Sequence, residues 1–428
     1  MNAPRLPYPN RAWPASMLWV WTGALCLLLS ACDQPPDDAP SAAEQDFQQQ
    51  LISRLIQAQA GDVIELPEGR FNLYRGLSLN VDNVTLRGAG ADLTTLSFKQ
   101  QKQGAEGLLV HADGVVIEDL AIEDTAGDAI KVNECSDLII RRVRIAWTGG
   151  PDENNGSYGL YPVLCERVLL EDNYVSGASD AGIYVGQSRQ VVVRRNHAEL
   201  NVAGIEIENT VGADVYDNRA NDNTGGILVF NLPDLSQEGH STRVYDNRIE
   251  HNNTDNFAPA GTAVASVPAG SGIVINANDR VEIFNNQISD HRTANIIISS
   301  YFSAGFAEAI SDLGDFDPYP ETIYIHGNHF SGGGDSPDRL ELKALKVSVF
   351  GLGGSLPDVL WDGVINPAHS TSGQLQAPYA ICIDNGDSGI VNVDAGNNYA
   401  NVSTDLSPHR CAHAPLPAIE LAALEQRQ

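Results

Sequence analysis

Apolar and polar residues alternate in short runs over most of this chain, and the runs return at regular intervals. One element has the form small-Ile-x-Val. It stands at Ala129–Val132, Gly159–Pro162, Gly182–Val185, Gly204–Ile207, Gly226–Val229, Gly272–Ile275 and Asn295–Ile298. Its cleanest steps, from 182 to 204 to 226, are 22 residues each. A second alternating run ends in Asn at Asn173, Asn196, Asn218, Asn247, Asn286 and Asn328. Alternation over so few residues predicts half-buried strands, and a fixed period of this length predicts stacked coils. Ahead of the repeats, Phe47, Leu51 and Leu55, with Ile52 and Ile56 beside them, fall at helical spacing. They predict a short amphipathic helix, stopped by Gly61-Asp62 and followed by a strand and turn over 63–69.

Leucine-rich repeats share the period, but their Leu-x-x-Leu-x-Leu pattern is absent. Several short strands per period, Gly at corners and a recurring Asn resemble an all-β, right-handed parallel β-helix of the pectate-lyase or pectin-lyase type. Each coil would hold three short strands, stacked on the next at about 4.8 Å. The Asn register predicts a ladder, because a stacked carboxamide donates to one neighbour and accepts from the other. Asn also tolerates a left-handed turn conformation. The helix would cover the open end of the first coil. On this basis the β-helix occupies 47–340. A less periodic segment, 341–428, packs on it and carries short strands at Val347–Phe350, Ile381–Asp384 and Ile390–Val393.

Period-2 alternation assigns faces. In small-Ile-x-Val the third residue points outward, giving the column Lys131, Tyr161, Tyr184, Glu206, Leu228, Val274, Ile297. Two residues on stands Asn133, Val163, Gly186, Glu208, Phe230, Asn276, Ser299. The insertions that break the period, 147–158, 231–241, 252–271 and 300–321, all border this one sheet. Loops on both edges of a rigid face make the walls of a groove. Its floor would include Tyr161, Tyr184, Glu206, Glu208 and Asn209, with Lys131 and Asp128 at one end and Phe230 at the other. Rings beside carboxylates suit sugars, whose C–H faces stack while hydroxyls bond to acids. Glu206 and Glu208, with Asp180 one coil earlier, could serve as acid and base or could hold Ca²⁺. A solvated acidic stripe is the plainer alternative. On another face, Arg141, Glu171 and Arg194 predict a charge ladder, and Tyr216, Tyr245 and Phe284 an aromatic stack.

Lys plus Arg number 26 and Asp plus Glu 55, a formal charge of −29. That excludes a nucleic-acid binder, which needs a basic face, and adsorption onto anionic lipid. Arg5 and Arg11 precede a 13-residue apolar run, Met17 to Leu29, too short for a membrane span. The run ends Leu29-Ser30-Ala31-Cys32, which resembles a bacterial lipobox. The resemblance implies that 1–31 is a lipoprotein signal peptide, removed before a lipidated Cys32. Residues 32–46 then form a flexible tether, and the membrane is reached through lipid alone. The expected location is the periplasm-facing cell envelope of a Gram-negative bacterium, with inner and outer membrane left open. Export permits disulfides. Cys135 and Cys165 stand three residues before equivalent slots of successive coils, so they fall within bonding range. Cys382 and Cys411 remain as a second pair.

The strings ASDAGIYVGQS (178–188), NVAGIEIEN (201–209) and NTGGILVF (223–230), with GLYPV (159–163) before them, resemble a family of exported bacterial parallel β-helix repeat proteins. That resemblance implies no established activity, and an exported, cytochrome-like protein as a genomic neighbour. Two expectations follow. The first is an envelope lipoprotein that binds a polysaccharide in the groove, with lyase, epimerase or hydrolase chemistry open. The second is a non-catalytic acidic docking scaffold for a cytochrome-like partner.

Overall fold

The computed structural model describes residues 40–303 and 313–426. The signal peptide and Cys32 lie outside the described residues. Helix α1 (Ala42–Gln57) begins with a capping box, in which Ser41 and Glu44 satisfy each other's backbone N–H groups. It buries Leu51 and Leu55 on the end of the first coil, and Phe47 stacks on Phe71 at 3.8 Å. From there the chain winds as a parallel β-helix with three strand-bearing faces. Eleven strands from Arg75–Leu79 to Ile390–Asn392 stack as one parallel sheet, hereafter the site sheet. The other two faces are joined into nineteen strands by Val116–Glu123 and Ser136–Ala146, long strands that run through a corner.

Register follows the sequence pattern. Leu160, Ile183, Ile205, Ile227, Ile273 and Ile296 stack in neighbouring strands, and all are fully buried. The Asn ladder is present. The Nδ2 of Asn173, Asn196, Asn218, Asn247 and Asn286 each donates to the Oδ1 of the next Asn at 2.9–3.0 Å. Each Nδ2 also donates to a strand carbonyl of the preceding coil. The ladder runs on through Asn328 to Asn385. One detail differs from expectation: the left-handed residue is the one before the Asn. Asp172, Arg195, Asp217, Asp246, Asn285 and Gly327 carry φ of 53–61°. The carboxamide must point inward from extended backbone, so the chain reversal falls on its outer neighbour.

Tyr216, Tyr245 and Phe284 stack at 4.8 Å, and His326 extends the column at 5.2 Å. The charge ladder is interrupted. Glu171 pairs with Arg194 and Arg195, whereas Arg141 pairs with Glu118 one coil back. Both disulfides form, with Cα separations of 4.4 Å for Cys135–Cys165 and 4.9 Å for Cys382–Cys411.

The segment after 340 corrects the expected boundary. Residues 340–350 are helix α2 (Leu340–Phe350), so Val347–Phe350 is not a strand. Val359–Trp361 and Ile390–Asn392 extend the site sheet, and Ile381–Asp384 stacks on Ile323–His326, so coiling continues to about 392. Inserted helix and turns stretch this coil beyond the 22-residue period and hide it from the pattern. The chain end then straps back along the solenoid, burying Leu421 and Leu424 against Val116, Ile139, Leu169 and Val192.

Replacing a mid-ladder carboxamide leaves buried polar groups of two coils without partners. We expect Asn218→Ala to cost about 2–4 kcal/mol and to lower the melting temperature. Asn154→Ala, on an exposed loop, should leave it unchanged. Equal melting temperatures for the two variants would show that the ladder contributes no stability.

Candidate functional site

The outward columns of the site sheet are placed as the alternation requires: Lys131, Tyr161, Tyr184, Glu206 and Leu228 are lateral neighbours, as are Gly186, Glu208 and Phe230. Tyr161 follows Lys131 and precedes Tyr184 because all three occupy the same slot of successive coils. The face they form is not an open groove along its length. The insertion before Ser271 lays Val264 and Val267 over Leu228, Phe230 and Val274, and α2 adds Leu342 and Leu345 farther along. Between these covers lies a cavity of about 220 Å³, whose lining includes Phe230, Asn276, Ser303, Arg339 and Asp362. Phe230 is therefore shut beneath the chain's own insertion and faces this cavity. Asn209 is buried as well. Its carboxamide bonds to the backbone of Leu232 and Gln237, so it anchors the 231–241 insertion and is closed off from a ligand by burial.

The remaining candidates gather toward the N-terminal end, where the cover thins and part of the sheet reaches solvent. Tyr158, Tyr161 and Tyr184 form a three-ring cluster with centroids 4.4–4.9 Å apart. Tyr158 was missed by the alternation because it stands at the mouth of an insertion. The Tyr184 hydroxyl donates to Glu208 Oε1 at 2.7 Å, and Tyr158 reaches Asp180 Oδ2 at 3.4 Å. Lys131 lies over the Tyr161 ring at 4.8 Å and within 3.9 Å of Asp128. The Tyr158 backbone N–H donates to Asp128. Lys131, Asp128, Tyr158 and Tyr161 keep partial exposure, whereas Asp180, Tyr184, Glu206 and Glu208 are buried.

Burial decides the charge state of the acids. Neither oxygen of Glu206 accepts a hydrogen bond, and the residue is 1% exposed. A bare carboxylate there would be prohibitively costly, so the group stays protonated. Desolvation, then Asp180 and Glu208, pushes it well above the usual carboxyl range. Glu208 is raised by burial although Tyr184 donates to it. Asp180 is pushed up to about 8, by burial first and by Glu208 second. Asp128 rises to about 6, where desolvation outweighs Lys131 and the Tyr158 N–H. The same burial and these acids raise the tyrosines, Tyr161 to about 12. The result is a set of neutral acids behind an aromatic surface, able to donate protons near neutral pH. As a Ca²⁺ site it is poorly gathered. Among the described residues, the three acids with ligand oxygens all within 4.8 Å of one another are Asp279, Asp317 and Glu321.

These shifts have a stability consequence with a definite sign. The folded state keeps protons that the unfolded chain releases near pH 4, so the native state binds more protons and stability falls as pH rises. For Asp128 the loss spans pH 4 to about 6, and for Asp180 pH 4 to about 8. We expect the melting temperature to decline from pH 5 to 9, and Glu206→Gln to make that decline shallower. Parallel pH profiles for the two proteins would contradict a protonated Glu206.

Known proteins bear on the fold. The family profile described as "Right handed beta helix region" matches residues 78–234 and 153–310. No curated protein sequence matches the chain. Among solved structures, the chain is similar to the A-module of the mannuronan C-5 epimerase AlgE4 from Azotobacter vinelandii. The two are 18% identical, with a TM-score of 0.51, over 79% of this chain and 89% of that one. It is also similar to the DFA-IIIase of Arthrobacter chlorophenolicus A6, at 11% identity and a TM-score of 0.45, over 75% and 88% of the two chains. The profile match spans more than half of the sequence, from the first strand of the site sheet to residue 310: this chain belongs to the right-handed β-helix family.

Proposed function

We propose that this protein binds a neutral polysaccharide toward the N-terminal end of the site sheet and processes it by acid–base chemistry. The observation that carries the reading is the Tyr158–Tyr161–Tyr184 cluster backed by Asp128, Asp180, Glu206 and Glu208. Tyr161 offers a partly exposed ring for a sugar's C–H face, and Lys131 and Asp128 stand beside it for hydroxyls. Asp128 combines partial exposure with a pKa of about 6, which suits a group that gives and takes a proton on a bound sugar. Asp180, Glu206 and Glu208 act through the tyrosines rather than by contact, since burial keeps them from a ligand. Few cations face this surface, which disfavours a polyanion. The similar mannuronan epimerase module acts on a polysaccharide within the same fold. The lipobox-like end at Cys32 supports the reading of an envelope lipoprotein facing the periplasm.

The test uses the mature full-length chain against neutral and acidic polysaccharides, with binding by calorimetry and turnover by product analysis. Tyr161→Ala should weaken binding roughly 2–13-fold, the value of one aromatic contact. Asp128→Asn should remove turnover and leave binding within about twofold. Unchanged binding in Tyr161→Ala, or failure of every polysaccharide to bind, would defeat the proposal. Steeply salt-sensitive binding to a basic, cytochrome-like protein in place of any glycan would instead support the docking-scaffold reading.

A further inference from the structure

A second group of acids lies at the edge of the site sheet where its strands end, three coils or more beyond the tyrosine cluster, at the point where the 300–321 insertion returns to the coil. Asp279 begins the strand Asp279–Phe284, Asp317 lies in the returning limb, and Glu321 stands just before the strand Ile323–His326. Their three ligand oxygens all lie within 4.8 Å of one another. Each carboxylate has one oxygen fixed by its own chain. Asp279 Oδ1 accepts from the Glu321 N–H at 2.9 Å, and Asp317 Oδ1 from the Tyr319 N–H at 3.1 Å. Glu321 Oε2 is held by His369 Nδ1 at 2.6 Å. The other oxygen of Glu321 is the independent sign of a ligand. Glu321 is 2% exposed, and its Oε1 is buried without a hydrogen bond of normal geometry, although the Asn366 side chain lies near the carboxylate. A buried carboxylate oxygen without such a bond calls for an explanation, and an unseen ion is one of the few available.

The surroundings are uncompensated. Glu238 accepts from the Asp317 N–H, and Asp315 stands nearby, so five acids converge. Among the described residues no Lys or Arg pairs with any of them; the sole ion-pair partner is His369 on Glu321.

We propose that Asp279, Asp317 and Glu321 bind a Ca²⁺ ion that ties the exit of the 300–321 insertion to the coil. Ca²⁺ takes six to eight oxygens at about 2.3–2.6 Å, so oxygens across it stand up to about 4.6–5.2 Å apart, the spacing found here. All three ligands are hard carboxylates, which suits Ca²⁺ over softer metals. Asp279 and Asp317 are half-exposed, leaving room for waters to complete the shell. The His369 contact orients Glu321 from outside, as outer-shell partners of metal ligands do. His369 is itself held by stacking on Tyr379 at 3.7 Å. The ion would thus join three separate stretches, the strand start, the insertion's exit and the 367–379 turn. This site is independent of the polysaccharide reading.

The experiment is calorimetric titration of the chelator-treated full chain with CaCl₂, with melting temperature as a second readout. One ion per chain is expected, with a dissociation constant of about 0.1–1 mM, as in extracellular sites, and a rise in melting temperature on binding. Asp317→Asn should weaken uptake at least about tenfold while melting like the parent in chelator, because its side chain is half-exposed. Glu321→Gln should do the same if it folds; Asp317→Asn decides if it does not. No Ca²⁺ uptake by the parent, or equal uptake by Asp317→Asn, overturns the proposal.

Discussion

A carboxamide buried between two coils can be satisfied only if the coils above and below stand at one spacing and one rotation. Asn196 shows the constraint. Its Oδ1 accepts both the N–H and the Nδ2 of Asn173, and its own Nδ2 reaches Leu170 O and Asn218 Oδ1. A slip by one residue would turn every carboxamide outward and leave several buried groups bare. Apolar stacking of Ile183, Ile205 and Ile227 supplies the driving force but tolerates such slips poorly rather than forbidding them. The ladder therefore fixes register, and register fixes which side chains share the outer columns. Tyr161, Tyr184 and Glu206 are neighbours because Asn173, Asn196 and Asn218 are.

The coils, both cysteine pairs, the aromatic column and the outer columns were all legible because each depends on spacing alone. What the pattern missed depends on contacts across the chain. The coil formed by Val359–Trp361, Ile381–Asp384 and Ile390–Asn392 was hidden by the helix and turns between its strands. Val347–Phe350 alternates like a strand, yet packing of Leu342 and Leu345 on the site sheet makes 340–350 helical. A second buried column, Asn201, Asn223, Asn252 and His291, also escaped notice. Its Asn residues fall in irregular turns, and its last member is not an Asn.

The site itself was half legible. Periodicity placed the acids and rings on one face, but it carries no information about what covers a face. The 252–270 insertion and α2 close the far end, so Phe230 and Asn209 serve the chain's own packing. Covering also changed the meaning of the acids. Exposed, Glu206 and Glu208 would be anions repelling a polyanion. Buried, they are neutral donors whose protons are held by low polarity around them. The acids near Asp279 were dispersed over 42 residues of sequence, and only the return of the insertion assembles them.

The carboxamide columns have a direction. Along both, the side-chain to side-chain bonds run one way: each Nδ2 from Asn173 to Asn328 and from Asn201 to Asn252 donates to the next member toward the C-terminus, and His291 keeps the order by accepting at Nε2 and facing Asn295 Oδ1 through Nδ1. Strand hydrogen bonds alternate and largely cancel, but these side-chain dipoles add. Aligned donors and acceptors polarise one another, so the solenoid carries two polarised filaments along its axis. A break in the middle of a filament weakens the bonds on either side of it, whereas a break at Asn173 or Asn385 has only one side to weaken. The coils that carry the tyrosine cluster sit where the filaments begin, so they feel losses farther along the solenoid less than its centre does.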